Sequence, residues 1–424
     1  LTYLRDMGRH FGAENPAIAG LLSERGVDPD VERLLEGFAF LTARIRERVD
    51  DSVPEIVHTL SELLVPNYTR SIPATSIVEF APEVGALQGR YVIPRGTPLG
   101  AIPIGETGCR FQTTAEVALL PLSIDNCVLD ESTASMPLLR LSFECLGQQT
   151  TQLLGESGLR LYISHEYAVS STLLLWFLRY LKEVRVKGPS SDEGRVLSAV
   201  KVTQGGLAQE EALWPWSAFA PQGYRLLQEY FTLPEKYLFV DIAGLQELGD
   251  LDRFELCFAF DRPPELGAQL TRRSLRLYCT PVVNLFAASL EPVYKSSLEH
   301  EHLLRVSDLD PRHADIYSID EVTAINDRGA STTYLPFVDF RHAADDTGKA
   351  FYSHRRCPSA LDNGIDTYLS VHNAQSNVVD TGNETLSIRV TATNRFLPAE
   401  LHAGQICQPI KGSPSVATFT NITE

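Results

Sequence analysis

The side chains that come nearest to a reactive centre lie between His300 and His313. His300-Glu301-His302 is followed by Asp308, Asp310 and His313, imidazoles and carboxylates of the kind that hold a divalent metal and activate water on it. The helical H-E-x-x-H spacing, which places two imidazoles one turn apart, is absent. On a strand His300 and His302 would share a face. A metal-dependent hydrolase built on His300, His302 and Asp308 is therefore the enzymatic alternative to the plainer reading, a solvated polar loop. Ser353 beside His354 has no G-x-S-x-G elbow to expose a nucleophile and supply an oxyanion hole. His354-Arg355-Arg356 is basic enough to hold an anion, but a surface or interface role is the simpler account. Gly205-Gly206 and the Gly85–Gly89 region lack the ordered spacing of a phosphate loop. Asp362-Asn363-Gly364 reads as a turn, without the regular oxygen ligands of a calcium loop. No catalytic residue, metal ligand or cofactor site is assigned, and the chain is not read as an enzyme.

Composition narrows the remaining classes. The 424 residues are long enough for about three domains. With 37 Lys and Arg against 54 Asp and Glu the net charge is −17, which argues against nucleic acid as the main partner, because backbone recognition needs concentrated cations. The seven cysteines are scattered without a C-x-x-C pair. That excludes a disulfide framework or zinc knuckle and leaves reduced, mostly buried thiols. No apolar run approaches the roughly 20 residues of a membrane span. The strongest, Leu173–Leu178, is far too short, so the cytoplasm is the default location.

The elements that would position these residues change character along the chain. Up to residue 70 the apolar period is helical. Asp28-Pro29 starts a long helix whose stripe runs through Val31, Leu34, Leu35, Phe38, Leu41, Ile45 and Val49. Pro54 is expected to open a further helix, which Pro66 ends. From Ser71 the pattern becomes short strands, with one clear helix capped by Ser170 or Ser171 and running to about Leu181. Val196–Val202 reads as one strand. Phe254, Leu256, Phe258 and Phe260 alternate as a strand with one buried side. The expected organisation is α+β and multidomain: an N-terminal helical domain over 1–70, a β-rich domain with one helix over 71–205, and β-rich structure over 206–424.

The stretch Gln222–Leu245 joins a short amphipathic helix, a turn at Pro234 and a strand over Tyr237–Ile242. Its clustered aromatics, among them Tyr224, Tyr230, Phe231 and Tyr237, read as core, since no glycine-rich loop accompanies them to form a cofactor box. A carbohydrate- or peptide-binding module would favour exposed tryptophans, whereas Trp176, Trp214 and Trp216 all sit in apolar contexts.

The blocks LTYLRDMGRHFGAENPAIAGLL (Leu1–Leu22), DPDVERLLEGFAFLTARIRERVDD (Asp28–Asp51), VPEIVHTLSELLVPNY (Val53–Tyr68), IPRGTPL (Ile93–Leu99) and CRFQTTAEVALLPL (Cys109–Leu122) precede GYRLLQEYFTLPEKYLF. CTPVVNLF (Cys279–Phe286), FYSHRR (Phe351–Arg356) and TATNRFLP (Thr391–Pro398) follow it. In that order they resemble the TssF family (also VasA or ImpG), baseplate subunits of type VI secretion. The resemblance implies a fold like the wedge subunits of contractile-phage baseplates. It also implies partners: TssG, with two copies of this chain per TssG and hence a second copy of itself, TssE, the TssK connector and the VgrG hub. Six such wedges would carry the sheath, docked at the cytoplasmic face of the inner membrane without a membrane span. A related contractile injection system or phage tail is the nearest alternative setting. Family members are usually longer, so a further C-terminal portion is expected, and the tryptophans of LAQEEALWPW depart from the leucine-rich match. Candidate assembly or packing residues are Leu34, Phe38, Leu41 and Ile45, packing within the domain or against TssG, together with Tyr224, Tyr230, Phe231, Tyr237, Asn284, Phe286, Asn394 and Arg395.

Overall fold

The computed structural model describes residues 14, 29–64, 66–83, 85, 87, 89–131, 136–147, 150–189, 194–216, 220–249, 251–295, 301–326, 329–337, 350–359, 362, 364–373 and 384–424. The chain divides into two compact units, Leu1–Arg70 and Ser71–Glu424.

In the first unit a single helix, Pro29–Leu64, runs for 36 residues and is followed by the four-residue helix Pro66–Thr69. Pro54 does not open a new helix, contrary to the sequence reading; the chain passes through it in helical conformation. The missing donor at Pro54 removes one backbone bond, a local loss that leaves the helix continuous. Leu34, Phe38, Leu41 and Ile45 are all exposed, at 74, 59, 60 and 66%.

The second unit is built almost wholly from sheets. One five-stranded antiparallel sheet runs in the order Ala417–Asn421, Thr75–Pro82, Cys279–Val283, Arg110–Thr113 and Pro98–Gly100. Strand Thr75–Pro82 alternates so that Ile77 enters one core while Val78 and Phe80 enter another, with Leu99, Phe111 and Phe419. A second five-stranded sheet runs through Arg195–Val196, Leu181–Lys187, Arg253–Phe260, Leu138–Cys145 and Leu122–Asp130. A four-stranded sheet follows the order Lys201–Gln204, Phe239–Ala243, Leu159–Ile163 and Leu275–Arg276. Together they enclose the largest core, where Phe143 stacks on Phe254 at 5.1 Å and Phe177 meets Phe258 edge-on at 5.1 Å. The remaining large sheet has eight strands, with Glu384–Thr393 and Asp315–Asn326 as its longest pairing and its own core around Val322, Leu369, Leu386 and Ile388.

Three local readings change. The residues 196–202 are not one strand: Arg195–Val196 and Lys201–Gln204 belong to different sheets. The strand Arg253–Phe260 buries Cys257 and Ala259 as well as its alternating large residues, so both of its faces are covered there. The helix Tyr167–Leu175 starts before the serines, with Glu166 at its N-cap and no side-chain cap. Ser170 instead closes a loop by accepting from His165 N and donating to His165 O, both at 3.1 Å. The sheets also run across the expected division at residue 205, since strands from both sides of it pair in three of them. Strand partners are chosen by burial over long sequence distances, which local polarity does not reveal.

Candidate functional site

The polar residues around His302 do not converge. His300 lies outside the described residues. His302 sits in the short strand His302–Leu303, opposite Leu369, and is buried. Asp308 takes a left-handed backbone with φ 61°. Asp310 accepts from the backbone N and the guanidinium of Arg312, both at 2.8 Å, which holds its carboxyl far below the usual range. His313 Nδ1 meets the Thr107 hydroxyl at 3.0 Å. Among the described residues no group of three or more His, Cys, Asp or Glu side chains could hold a metal. Burial pushes the Cys109 and Cys127 thiols up to about 12, with Glu400 adding to the effect at Cys109. They are poor nucleophiles.

The helix Gln222–Thr232 overturns the reading of its aromatics as core. Tyr237, on the following turn, is buried, but Tyr224, Leu227, Tyr230 and Phe231 are 51, 55, 43 and 78% exposed. Its inward face is charged instead: Arg225, Glu229 and, from the next turn, Lys236 are 2, 0 and 0% exposed. Glu229 Oε2 accepts from Arg225 Nη1 at 3.1 Å, Lys236 Nζ at 2.5 Å and Tyr237 Oη at 3.3 Å. Its Oε1 accepts from Leu213 N at 2.9 Å. Arg225 also donates through Nη2 to Leu207 O at 2.7 Å and through Nε to Gln222 Oε1 at 3.1 Å. Buried charges are tolerated when paired and hydrogen-bonded in this way. Burial lowers the Lys236 ammonium pKa, opposed by the Glu229 carboxylate, and raises that of the Tyr237 phenol. The chain must also pass close: at Gly206, with φ 84°, a Cβ would stand 2.4 Å from Lys236 O.

Periodicity shows that a helix has two unlike faces but not which one turns inward. The i, i+4 pair of Arg225 and Glu229 inside an apolar run was the signal of inversion, and sequence reasoning passed over it. The outward aromatics extend onto the neighbouring helix, where the Tyr167 and Tyr230 hydroxyls are 3.0 Å apart.

The C-terminal candidates are brought together in a different place. Asn284 follows strand Cys279–Val283, Asn394 follows Glu384–Thr393, and both are wholly buried. Asn394 Oδ1 accepts from Asn284 Nδ2 at 2.9 Å and from Arg110 N at 3.0 Å. Asn284 Oδ1 accepts from Asn394 N at 2.6 Å, and Asn284 Nδ2 also donates to Arg110 O at 2.8 Å. The two amides thus clasp the ends of strands from two sheets against a third segment. Phe286, also buried, lies with the Arg110 guanidinium 5.5 Å from its ring centre. Arg395, at φ 52°, donates through Nη1 to Asp362 Oδ2 at 2.8 Å and Pro311 O at 2.9 Å, its guanidinium packed over Gly364 where a Cβ would overlap it. These four residues are joints; the stripe from Leu34 to Ile45 and the outward face at Phe231 are open surfaces.

A cleft of about 730 Å³ lies beside the two-stranded sheet of Tyr91–Ile93 and Val117–Leu119. Its cations are committed within the chain. Arg160 grips Asp241 at 2.6 and 2.7 Å and also Glu211, and Arg95 donates to the carbonyls of Glu210 and Ala212. The arrangement offers paired charge and apolar surface, a chemistry of adhesion.

Comparison with known proteins places this architecture. A family model described as "Type VI secretion system, TssF" matches residues 1–424. The type VI secretion system component TssF1 of Pseudomonas aeruginosa is 30% identical over 440 residues, covering 95% of this chain and 71% of that protein. A chain in the cryo-electron microscopy structure of a TssK-TssF-TssG baseplate subcomplex superposes with a TM-score of 0.77 at 31% identity, over 93% of this chain and 73% of its own. A chain of a type VI baseplate complex gives 0.56 at 28% identity, over 100% of this chain and 74% of its own. The chain belongs to the TssF family of the type VI secretion system.

Proposed function

We propose that the chain works as a structural subunit of a baseplate wedge, joining TssG and TssK and carrying no chemistry of its own. The carrying observation is the agreement of nearly the whole fold with a chain of a TssK-TssF-TssG subcomplex. Two further features support it. Among the described residues, Asp310, His313 and Glu229 are engaged in internal hydrogen bonds, and two of the exposed apolar surfaces lie on helices, where subunits pack. The stripe Leu34, Phe38, Leu41 and Ile45 and the outward face at Tyr224, Tyr230 and Phe231 are the assembly surfaces in this reading. Asn284, Phe286, Asn394, Arg395 and the buried Tyr237 maintain the frame of Ser71–Glu424. Two copies would serve each TssG, with TssE and the VgrG hub completing the ring at the cytoplasmic face of the inner membrane. Among the described residues no helix is long and apolar enough to cross a membrane.

The test is the native mass of the complex formed on coexpression with TssG and TssK. Two copies of this chain per TssG are expected. A chain that emerges alone under those conditions overturns the wedge reading.

A further inference from the structure

A groove of about 470 Å³ lies beside the asparagine joint, between strand Arg110–Thr113 of one sheet and strand Phe286–Ser289 of another. Its floor is apolar: Phe111, Leu285 and Phe286 are buried there, and Ile410 is half-buried. Its rim is cationic. Arg110 and Lys411 are both exposed, and neither has a carboxylate partner among the described residues. The Arg110 guanidinium packs against the Phe286 ring instead, a contact that leaves its N–H groups available to an acceptor. No Asp or Glu lines the groove, although the chain carries a net charge of −17. Other guanidinium groups of this unit are matched, Arg160 with Glu211 and Asp241, Arg276 with Glu79, and Arg395 with Asp362.

The groove also meets the edge of a sheet. Phe286–Ser289 is a terminal strand, paired with Glu384–Thr393 on one side. Leu290 N donates to Ile388 O, and bonded pairs alternate along an antiparallel ladder. In this register Phe286 and Ala288 bond to Glu384–Thr393, and Ala287 directs its N–H and C=O the other way. Ala287 is exposed and lines the groove. An open edge of this kind pairs with an added strand.

We propose that this groove takes an extended acidic segment of a partner protein, laid along the edge at Ala287 with carboxylates on Arg110 and Lys411. The proposal goes beyond the wedge reading, because it assigns a new binding site and the chemistry of what fills it. In an extended chain successive side chains point to opposite faces, so a segment alternating acidic and apolar residues meets the cationic rim with one set and the floor at Phe111 and Phe286 with the other. A basic segment is repelled by the rim. A helix satisfies its own backbone groups and makes no use of the edge. The occupant also reinforces the joint: it touches Arg110, whose backbone is held by both Asn284 and Asn394, and on its other side the first strand after Asn284.

Fluorescence anisotropy of short dye-labelled peptides with the full-length protein tests this. The probes alternate valine with glutamate, glutamine or lysine. The glutamate probe should bind at least tenfold more tightly than the glutamine probe, and the lysine probe most weakly. Arg110→Gln/Lys411→Gln should abolish that preference, and Arg110→Glu/Lys411→Glu should reverse it toward the lysine probe. Both side chains are exposed, so Tm should hold in each variant. Ala287→Pro, a change an edge strand tolerates, should weaken the glutamate probe at least fivefold. With that probe bound, hydrogen exchange should slow in Arg110–Thr113 and Phe286–Ser289. Equal binding of the three probes, a preference unchanged in the charge variants, or no binding each overturn the proposal. Assembly with TssG and TssK is scored separately: a chain that assembles but ignores the probes leaves the wedge reading standing and overturns this one.

Discussion

Replacing Glu229 by alanine is the most informative single perturbation of this fold. Glu229 is the one carboxylate that accepts from both Arg225 and Lys236, and all three side chains are almost wholly buried. Removing it leaves two cations facing each other without a counter-charge and deprives Leu213 N of its acceptor. Breaking a buried pair from one side costs about 3–5 kcal/mol. If Ser71–Glu424 unfolds as one unit, its unfolding entropy makes each kcal/mol worth about 1.3 °C, so Tm should fall by roughly 4–7 °C. Hydrogen exchange should accelerate most in Gln222–Tyr237 and in the backbone around Leu213. The triple variant Arg225→Met/Glu229→Leu/Lys236→Met should regain at least half of the loss, because an apolar cluster of similar volume replaces the triad. Lys236 also adds a pH signature. Its folded pKa is lowered by burial, so the penalty of holding it charged is complete below that folded value and fades as pH rises toward the unfolded value of 10.5. Stability should therefore gain a rising component on the alkaline side that Lys236→Met abolishes. A Tm change below 1 °C for Glu229→Ala, with unaltered exchange, would refute the account of the triad as the anchor of the helix.

The asparagine joint and the thiols yield further expectations. Asn284→Ala and Asn394→Ala should each cost about 1–3 kcal/mol for the polar groups left unpaired, yet the double variant should cost less than their sum by about 0.5–3 kcal/mol in a urea-denaturation cycle; strict additivity would show that the amides do not act together. At pH 8.5 a maleimide should modify the half-buried Cys145, Cys357 and Cys407 before Cys109 or Cys127, counted by mass spectrometry of digests. Because the folded pKa values of Cys109 and Cys127 are raised from 9.0 to about 12, their contribution is complete below pH 9 and is lost as pH rises toward 12. Replacing both by alanine should flatten that decline.

Much of the architecture was legible because it is local. The long period from Leu34 to Ile45 announces a helix, and the strands around Phe254 and Leu386 announce themselves by alternation. The sites were harder to read because they depend on sign and on distance. In QGYRLLQEYF the aromatics and the Arg225–Glu229 pair have the same period, and the partners that meet the charged face, Lys236 beyond the turn at Pro234 and the backbone at Leu207 and Leu213, lie outside it. PVVNLF and TATNRFLP could be singled out by resemblance, but nothing in either says that Asn284 and Asn394, 110 positions apart, share a hydrogen bond. Pro54 misled for a simpler reason: a proline weakens a helix by a fixed local amount, and a long helix can absorb it.

Strand Thr75–Pro82 also carries a consequence for biosynthesis. Its two neighbours are Cys279–Val283 and Ala417–Asn421, and Ile77 N is capped by the Thr423 hydroxyl 346 positions later. At about 5–20 residues per second the ribosome needs roughly 20–70 s to deliver that partner. Until residue 283 is made this early, strongly apolar strand has no neighbour, and one of its edges stays open until residue 421. A nascent chain wired in this way depends on chaperones at the exit tunnel, and its first-made sheet is among the last to close. Stalling or truncation before residue 417 should then yield aggregates in place of a shorter folded domain.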